Sequence, residues 1–208
     1  MDPIHKLTEE FSHFPGIGPR QAKRFAYYLL GKSPLFLKQF ADTIKKLKEE
    51  VAPCSICQRY FETNNVKSLA CPICSDTTRN ETLLMLVSRD VDLETIEKSH
   101  SYRGYYFVLG GSIPILEKEP EKKVRIQKLK ERLKHGGEKG TLKEIIMALN
   151  ATPEGDNTAF WLRSQIEPLV KQYALSVTML GKGLSTGSEL EYSDPETIGE
   201  ALKNRTDR

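Results

Sequence analysis

The sequence predicts a multidomain α+β protein, and three observations lead to that prediction. Amphipathic helical spacing fills most of residues 5–50, four cysteines fall together within residues 53–75, and short apolar runs alternate with helical segments from residue 82 onward. Alternation of strands and helices is typical of a mostly parallel sheet covered by helices. These features divide the chain into an N-terminal helical region (1–52), a small cysteine motif (53–79), an α/β domain (80–175) and a tail of strand, Gly-rich loop and helix (176–208).

The composition indicates a folded chain without a membrane span. The 208 residues are 38% hydrophobic, which is enough for the core of one large domain or two small ones. Apolar runs such as Leu83–Val87 are far shorter than the ~20 residues that a membrane-spanning helix needs. The N-terminus has no apolar segment behind a basic start, so we expect no secretory signal. Cysteines in a reducing compartment bind metal more often than they form disulfides.

The charge is uneven along the chain. Lys and Arg number 31 against 28 Asp and Glu, which gives a net charge of +3. Residues 1–80 carry 12 basic and 8 acidic residues, whereas residues 81–208 carry 19 and 20. A mildly basic first part fits a nucleic-acid contact near the N-terminus, although the same balance is common in proteins that bind none.

Residues 5–50 predict three helices. Apolar residues recur at spacings of four and three from Leu7 to Phe14, and the Pro-Gly-Ile-Gly segment at 15–18 then ends the pattern. Helical spacing resumes and stops at Gly31. Ser33-Pro34 is typical of the start of a third helix, because proline is favoured at the first helical position.

The segment between the first two helices has the chemistry of a phosphate-binding turn. Its glycines allow a tight turn and let backbone amides approach a phosphate oxygen, and the N-terminus of the following helix favours an anion. The candidate DNA-binding residues are Gly16, Gly18, Arg20, Lys23 and Arg24. An ordinary helical hairpin with a glycine turn is the alternative. Ile17, an apolar plug between the glycines, favours a helix-hairpin-helix motif that binds DNA without reading its sequence and in a strongly salt-dependent way.

The four cysteines form two C-x-x-C pairs that predict a metal site. The ligands are Cys54, Cys57, Cys71 and Cys74, with 13 residues between the pairs. Two such knuckles complete a tetrahedral site of four thiolates, which leaves no open position for water, so the metal is expected to be structural. We predict one Zn²⁺ per chain, with a single iron as an alternative metal. The same spacing also fits four unliganded thiols or a redox motif, and the redox motif is disfavoured because neither pair follows a predicted sheet.

From residue 82 onward the pattern predicts the α/β domain and the tail. Predicted strands cover Leu83–Val87, Tyr105–Leu109, Ile145–Leu149 and Ser176–Leu180. Predicted helices cover Val91–His100, Val124–Lys134, residues 158–174 and a last segment after Asp194-Pro195. The Lys- and Glu-rich stretch from Glu117 to Lys139 is interpreted as a solvated helix face.

Taken in this order, the features resemble the RecR family of bacterial recombination mediators. The resemblance runs from about Leu7 to Arg205 and is specific, because several motifs occur together in one order. They are Phe-Pro-Gly-Ile-Gly-Pro-Arg-Gln-Ala-Lys-Arg (14–24), Cys-x-x-Cys with Cys-Pro-Ile-Cys (54–74), Arg-Gly-Tyr-Tyr-Phe-Val-Leu (103–109), Asn-Ala-Thr-Pro-Glu-Gly-Asp-Asn-Thr-Ala (150–159) and Gly-Ser-Glu-Leu-Glu-Tyr (187–192).

The resemblance implies a Toprim domain at about 80–175 and a ring-like homo-oligomer, usually a tetramer, that clamps DNA. It also implies RecO-type and RecF-type partners, loading of recombinase at gapped DNA, and a cytoplasmic, nucleoid-associated location in a bacterium. Arg20 and Arg24 match the family's DNA-contact positions. Glu154 and Asp156 match its acidic partner-binding positions, with a solvated loop as the alternative. Within 110–140, where less of the family pattern is present, the lysines either line a DNA channel or cover a solvated face.

One departure from the family bears on catalysis. Ser88 stands where these proteins usually have a Glu, the residue that acts as acid or base in catalytic Toprim enzymes. Asp90-Val91-Asp92 matches the D-x-D pattern of the family's acidic pair, but it follows the first predicted strand, which is the wrong position. Glu154-Gly155-Asp156 follows the third predicted strand and is the positional equivalent of that pair. One carboxylate pair without the Glu is a poor two-metal centre. We therefore expect a non-enzymatic DNA clamp, with a Toprim-type nuclease or primase-like enzyme and a zinc adaptor that binds only protein as the alternatives.

Overall fold

The computed structural model describes residues 2–63, 69–187 and 189–205, and it divides the chain into two compact units. The N-terminal unit is Met1–Ala52, and the C-terminal unit is Pro53–Arg208. Of the predicted cysteine motif and tail, residues 64–68, 188 and 206–208 lie outside the described residues. Within the described ranges, none of the helices combines the length and the apolar character that a bilayer span requires.

The N-terminal unit contains the three predicted helices, α1 (Pro3–Ser12), α2 (Pro19–Leu30) and α3 (Pro34–Glu50). Each begins with proline in its first turn. Proline has no backbone N–H, and an N–H at this position would have no acceptor within the helix, so no hydrogen bond is lost. The side chain of Asp2 caps α1 by accepting a hydrogen bond from the backbone N–H of Ile4, at 3.1 Å. Ser33 caps α3 in the same way, accepting from the N–H of Phe36 at 3.2 Å. These side chains satisfy amides that the first turn of a helix leaves without partners.

Small and aromatic side chains pack α1 against α2. Ala22 and Ala26 are the buried residues of α2, and their small side chains permit a close approach of the two helices. The ring of Phe11 makes edge-to-face contacts with Phe14 and Phe25, each at a centroid distance of 5.7 Å. The opposite face of α2 is exposed.

Short elements lie around the cysteines, and the first of them includes the last two residues of the N-terminal unit. β1 (Val51–Pro53) and β2 (Tyr60–Glu62) form a two-stranded sheet, and α4 (Pro72–Ser75) carries the last cysteine. None of these elements was predicted from the sequence, because segments of three or four residues are too short to show a hydrophobic period.

A four-stranded parallel sheet forms the centre of the C-terminal unit, as predicted. Its strands are β3 (Asn80–Val87), β4 (Gly104–Val108), β5 (Glu144–Ala148) and β6 (Ser176–Met179), in the order β4-β3-β5-β6. In this register Val87 lies opposite Val108 and Ala148. The helices are α5 (Asp90–Lys98), α6 (Ile126–Glu138), α7 (Pro153–Gln172) and α8 (Pro195–Lys203), with 3₁₀ turns at Pro120–Lys122 and Leu190–Tyr192.

The strand predicted at Ser176–Leu180 is present as Ser176–Met179, which is hydrogen-bonded to β5 and completes the sheet. One predicted boundary was wrong. The helix predicted from residue 158 begins at Pro153, because Thr152 caps it by accepting a hydrogen bond from the N–H of Gly155 at 3.2 Å. A proline and a glycine within five residues suggested a loop, whereas proline at the first helical position favours a helix start.

Both faces of the sheet are covered, which explains the continuous apolar run in β3. Leu84 and Leu86 point into a core formed with α6 and α7. Met85 and Val87 point to the other face, where they join Leu93 of α5 and buried cysteines. A parallel sheet buried on both sides needs apolar residues at every position of a central strand. The cysteine motif is thus part of the second core.

A comparison of two helical glycines tests how the β5–α7 loop is held. A Cβ built on Gly155 overlaps the backbone carbonyl of Asn150, while one built on Gly199 in α8 meets nothing within 4 Å. We expect Gly155→Ala to lower the free energy of unfolding by about 3 kcal/mol, because backbone cannot move aside cheaply. Gly199→Ala should leave it unchanged or raise it by up to about 1 kcal/mol. Urea unfolding of both variants measures the difference, and equal stability of the two would contradict the proposed close approach.

Candidate metal centre and nucleic-acid interface

The structure brings the four predicted cysteine ligands together. Their sulfur atoms all lie within 4.8 Å of one another, and the Sγ atoms of Cys57 and Cys71 are 3.6 Å apart. Zn–S bonds of about 2.3 Å in a tetrahedron give S···S edges of about 3.8 Å, so this spacing fits one four-coordinate ion. Cys54, Cys57 and Cys71 are buried and Cys74 is partly buried.

Local backbone geometry aims each pair of sulfurs at the same point. In the first knuckle, Gln58 has a positive φ of 65°, and its backbone N–H donates to the carbonyl of Cys54 at 3.0 Å. In the second, Cys71 is the N-cap of α4. The backbone N–H of Cys71 also donates to Sγ of Cys54, at 3.4 Å, which links the two knuckles and favours a charged sulfur.

The electrostatics of the cluster favour a bound cation. Hydrogen bonds from the thiols of Cys57, Cys71 and Cys74 lower the pKa of Cys54 below its ordinary value. Hydrogen bonds with Cys54, Cys57 and Cys71 raise the pKa of Cys74 above its ordinary value. Four thiols at this spacing therefore do not ionise together on their own, because each thiolate opposes the next. A soft divalent cation removes that repulsion, and a set of four sulfur donors fits Zn²⁺ or iron.

The first knuckle is docked on the edge of the parallel sheet. The backbone N–H of Val108, in edge strand β4, donates to the carbonyl of Cys57 at 2.8 Å. The guanidinium of Arg125 donates to the carbonyls of Gln58 at 2.7 Å and Val108 at 3.2 Å. The N–H of Tyr60 donates to the carboxylate of Asp90 at 2.7 Å. The bonds to Val108 give partners to its N–H and its carbonyl at the end of the edge strand, where unpaired backbone groups could otherwise pair with another chain.

The glycine turn of the N-terminal unit has the geometry that the sequence predicted for it. Gly16 has a φ of +75°, a conformation that side chains disfavour, and Ile17 donates its N–H to the carbonyl of Phe14 at 3.0 Å. Gly18 is the N-cap of α2 and Pro19 its first residue. Because Gly18 offers no side chain to cap the helix, the amides of the first turn are available to an anion.

The basic candidates lie on the exposed face of α2, opposite the packed alanines. Arg20, Lys23 and Arg24 are all exposed. The only side-chain hydrogen bond of these three within the described residues runs from Nη1 of Arg24 to Oε1 of Gln21, at 3.4 Å. The structure thus presents the cations and the N-terminus of α2 on one surface, which is the arrangement that phosphate contacts require.

The acidic candidates occupy the first turn of α7, at the carboxyl ends of the parallel strands. Glu154 and Asp156 are exposed, and the helix dipole stabilises both carboxylates. Both oxygens of Asp156 accept hydrogen bonds from Nζ of Lys182, at 3.1 Å. The carbonyl of Lys182 in turn accepts from the side-chain amide of Asn204, at 2.8 Å. The C-terminal segment is thereby tied to the start of α7.

The remaining polar residues near the end of β3 have structural partners. Ser88 is 1% exposed, and its hydroxyl lies 3.4 Å from that of Ser112. Asp92 accepts a hydrogen bond from the N–H of Arg89 at 2.8 Å, which caps α5. Asp90 accepts from Tyr60 of the cysteine motif. The Asp90-Val91-Asp92 sequence therefore begins a helix and holds a neighbouring loop, although its residue types match those of the family's acidic pair.

Three features of these sites were not predicted from the sequence: the partners of Arg125 and Lys182, and the place of two tyrosines on the basic face of α2. Arg125 was treated as part of a solvated helix face, and no local pattern links it to a carbonyl 67 residues earlier. Lys182 was assigned to a Gly-rich loop without a partner. Tyr27 and Tyr28 follow Lys23 and Arg24 at a spacing of four residues, and that spacing could have placed them on the basic face.

Comparisons with known proteins agree with the order of these features. The family model for the RecR helix-hairpin-helix matches residues 4–48, that for the Toprim domain matches residues 82–180, and that for the RecR C-terminal region matches residues 183–206. Proteins named Recombination protein RecR align over nearly the whole chain. The one from Pelotomaculum thermopropionicum is 37% identical over 203 residues, covering 98% of this chain and 95% of that protein.

Two further relatives show the same extent of similarity. Recombination protein RecR of Bifidobacterium adolescentis is 38% identical, covering 97% of this chain and 94% of that protein. Recombination protein RecR of Staphylococcus aureus (strain Newman) is 36% identical, covering 99% of this chain and 98% of that protein. With matching domains in the same order and full-length relatives at this identity, the chain belongs to the RecR family of recombination proteins.

Proposed function

We propose that this chain is a non-enzymatic DNA-binding mediator of recombinational repair, which helps to load recombinase at gapped DNA. The observation that carries the proposal is the glycine turn at the start of α2, with three exposed cations on the same helical face. Membership of the RecR family supports the assignment to recombination.

The N-terminal unit would hold DNA by its backbone. A phosphate oxygen at the N-terminus of α2 accepts hydrogen bonds from first-turn amides, which Gly16 and Gly18 leave unobstructed. Arg20 and Arg24 are one turn apart and bind phosphates on either side of that contact. These contacts carry no base code, so binding is independent of sequence and is weakened by salt.

The assembly is proposed to be a ring-like homo-oligomer, a tetramer, that encircles DNA and works with RecO-type and RecF-type proteins. The partner-binding residues are Glu154 and Asp156, whose exposed carboxylates suit a basic partner surface. Because Asp156 already accepts from Lys182, a basic side chain of the partner replaces that lysine when it binds.

The proposal excludes an enzymatic reaction on DNA, because the residues that such a reaction requires are incomplete. A Toprim nuclease needs a Glu beside the acidic pair, and the chain places the buried hydroxyl of Ser88 at the end of β3 instead. A hydroxyl neither carries the negative charge that a second metal requires nor accepts a proton at neutral pH. The acidic pair alone suits recognition of a partner.

We propose that one structural Zn²⁺ per chain is held by Cys54, Cys57, Cys71 and Cys74. The metal supplies the positive charge that lets four thiolates share a buried site, and it takes no part in a reaction. Through Cys57 and Gln58, the site fixes the knuckle that covers the edge of β4.

Removal of one ligand tests the metal proposal. We expect Cys74→Ser to lower bound zinc to well below one per chain and to lower Tm by about 10 °C, because metal binding stabilises only the folded state. Zinc content and thermal unfolding are measured on the same sample. The control is Ser75→Ala at the exposed neighbour, which should keep both zinc and Tm. A parent protein that binds no zinc when refolded under reducing conditions with zinc present contradicts the proposal.

Salt dependence tests the DNA proposal. We expect Arg20→Ala/Arg24→Ala to weaken binding to gapped DNA by about 10- to 100-fold at low salt, and to make the slope of log K against log salt shallower by about two. The matched control, Lys45→Ala/Lys48→Ala on exposed α3, removes the same charge elsewhere in the unit. Fluorescence anisotropy at several salt concentrations gives both quantities. Equal losses of DNA affinity in the two double variants would show that binding depends on the net charge of the unit and not on the basic face of α2.

A further inference from the structure

The exposed face of α2 carries two tyrosines beyond its cations. Tyr27 is 53% exposed and Tyr28 is 58% exposed, although aromatic side chains on a helix usually pack into a core. The face that packs on α1 uses Ala22 and Ala26, so the tyrosines do not serve that contact. They therefore need a different explanation.

The tyrosines continue the basic rows of the helix. Residues four apart on a helix are neighbours. One row consists of Arg20, Arg24 and Tyr28, with Lys32 just beyond the end of α2. A second row consists of Lys23 and Tyr27. Cations and rings thus share one helical surface, and from Arg20 to Tyr28 it is about 12 Å long at a rise of 1.5 Å per residue, the length of about three stacked nucleotides.

Distances within the surface confirm that rings and cations are neighbours. Nζ of Lys32 lies 4.1 Å from the centroid of the Tyr28 ring, and Nζ of Lys23 lies 6.0 Å from that of Tyr27. An open hollow of about 660 Å³ is lined by Arg20, Lys23, Arg24, Tyr27 and Tyr28. Its lining contains positive charge and aromatic rings but no carboxylate.

This combination selects a nucleic acid strand with accessible bases. Cations alone bind the phosphates of duplex and single strand alike. Exposed aromatic rings add affinity only when a base face is free, and bases inside a duplex are already stacked on each other. An apolar partner protein would not be matched to the positive charge that surrounds both rings.

We propose that Tyr27 and Tyr28 stack on bases of single-stranded DNA while the flanking cations bind its phosphates, so that this face prefers single-stranded to duplex DNA. The proposal rests on the proposed DNA-binding function and adds base stacking to it. At a gap, it assigns this surface to the unpaired strand.

Two oligonucleotides of equal charge separate stacking from phosphate binding. One is a 15-nucleotide oligo(dT), and the other is a 15-nucleotide abasic strand with the same phosphates. We expect the parent protein to bind the oligo(dT) at least about tenfold more tightly, as measured by competition against a labelled strand. Tyr27→Ala/Tyr28→Ala should abolish that preference and leave affinity for the abasic strand unchanged. Tyr27→Phe/Tyr28→Phe, which keeps the rings, should retain the preference.

The outcomes distinguish this inference from the proposed function. Arg20→Ala/Arg24→Ala should weaken binding of both strands by the same factor. If the parent binds both strands equally, or the alanine variant keeps the preference, stacking is wrong and DNA binding by the cations stands. If the alanine variant loses affinity for both strands together, or its solution mass falls, base stacking is overturned. The tyrosines then stabilise the fold or a contact with a second copy of the chain. If the parent binds neither strand nor gapped DNA, the proposed function fails with it.

Discussion

The convergence of four sulfur atoms on one buried point is the constraint on which much of the C-terminal unit depends. Four thiolates repel one another at this spacing, so all four sulfurs can be ionised together only with a cation among them. The same knuckle supplies the Cys57 and Gln58 carbonyls that accept hydrogen bonds from Val108 and Arg125. It also places Tyr60 against Asp90. The cysteine cluster is thereby linked to the end of edge strand β4 and to the start of α5.

The sheet keeps the layout of a Toprim domain, and we propose that its carboxyl edge binds a partner instead of catalysing a reaction. In a parallel sheet the carboxyl ends of the strands form the usual binding edge, and this chain places Ser88, Glu154 and Asp156 there. A fold does not by itself determine an activity, because activity depends on the side chains at the site. A buried hydroxyl follows β3, and Asp156 already accepts hydrogen bonds from a lysine, which supports the proposed contact with a basic partner protein. The cations that suit DNA lie instead on α2.

The sequence predicted features whose signal is local and could not predict those set by distant contacts. C-x-x-C spacing was enough to predict the sulfur cluster, since each pair shares a tight turn. The period of apolar residues was enough for the helices and the parallel strands. The start of α7 was missed because Thr152, whose side chain caps the helix, stands before a proline and a glycine that suggest a loop. Arg125 was missed because its partner Gln58 is far away in sequence, and only the folded chain brings them together.

The proposed function requires the chain to bind gapped DNA and to leave it chemically unchanged. The most direct test incubates the parent protein with end-labelled gapped DNA and Mg²⁺, and compares a native gel with a denaturing gel of the same samples. For a non-enzymatic clamp we expect complete retention of the DNA in the native gel and unchanged strand lengths in the denaturing gel. Shortened or extended strands that require Mg²⁺, and that disappear in Glu154→Gln, would overturn the proposed function and establish an enzyme.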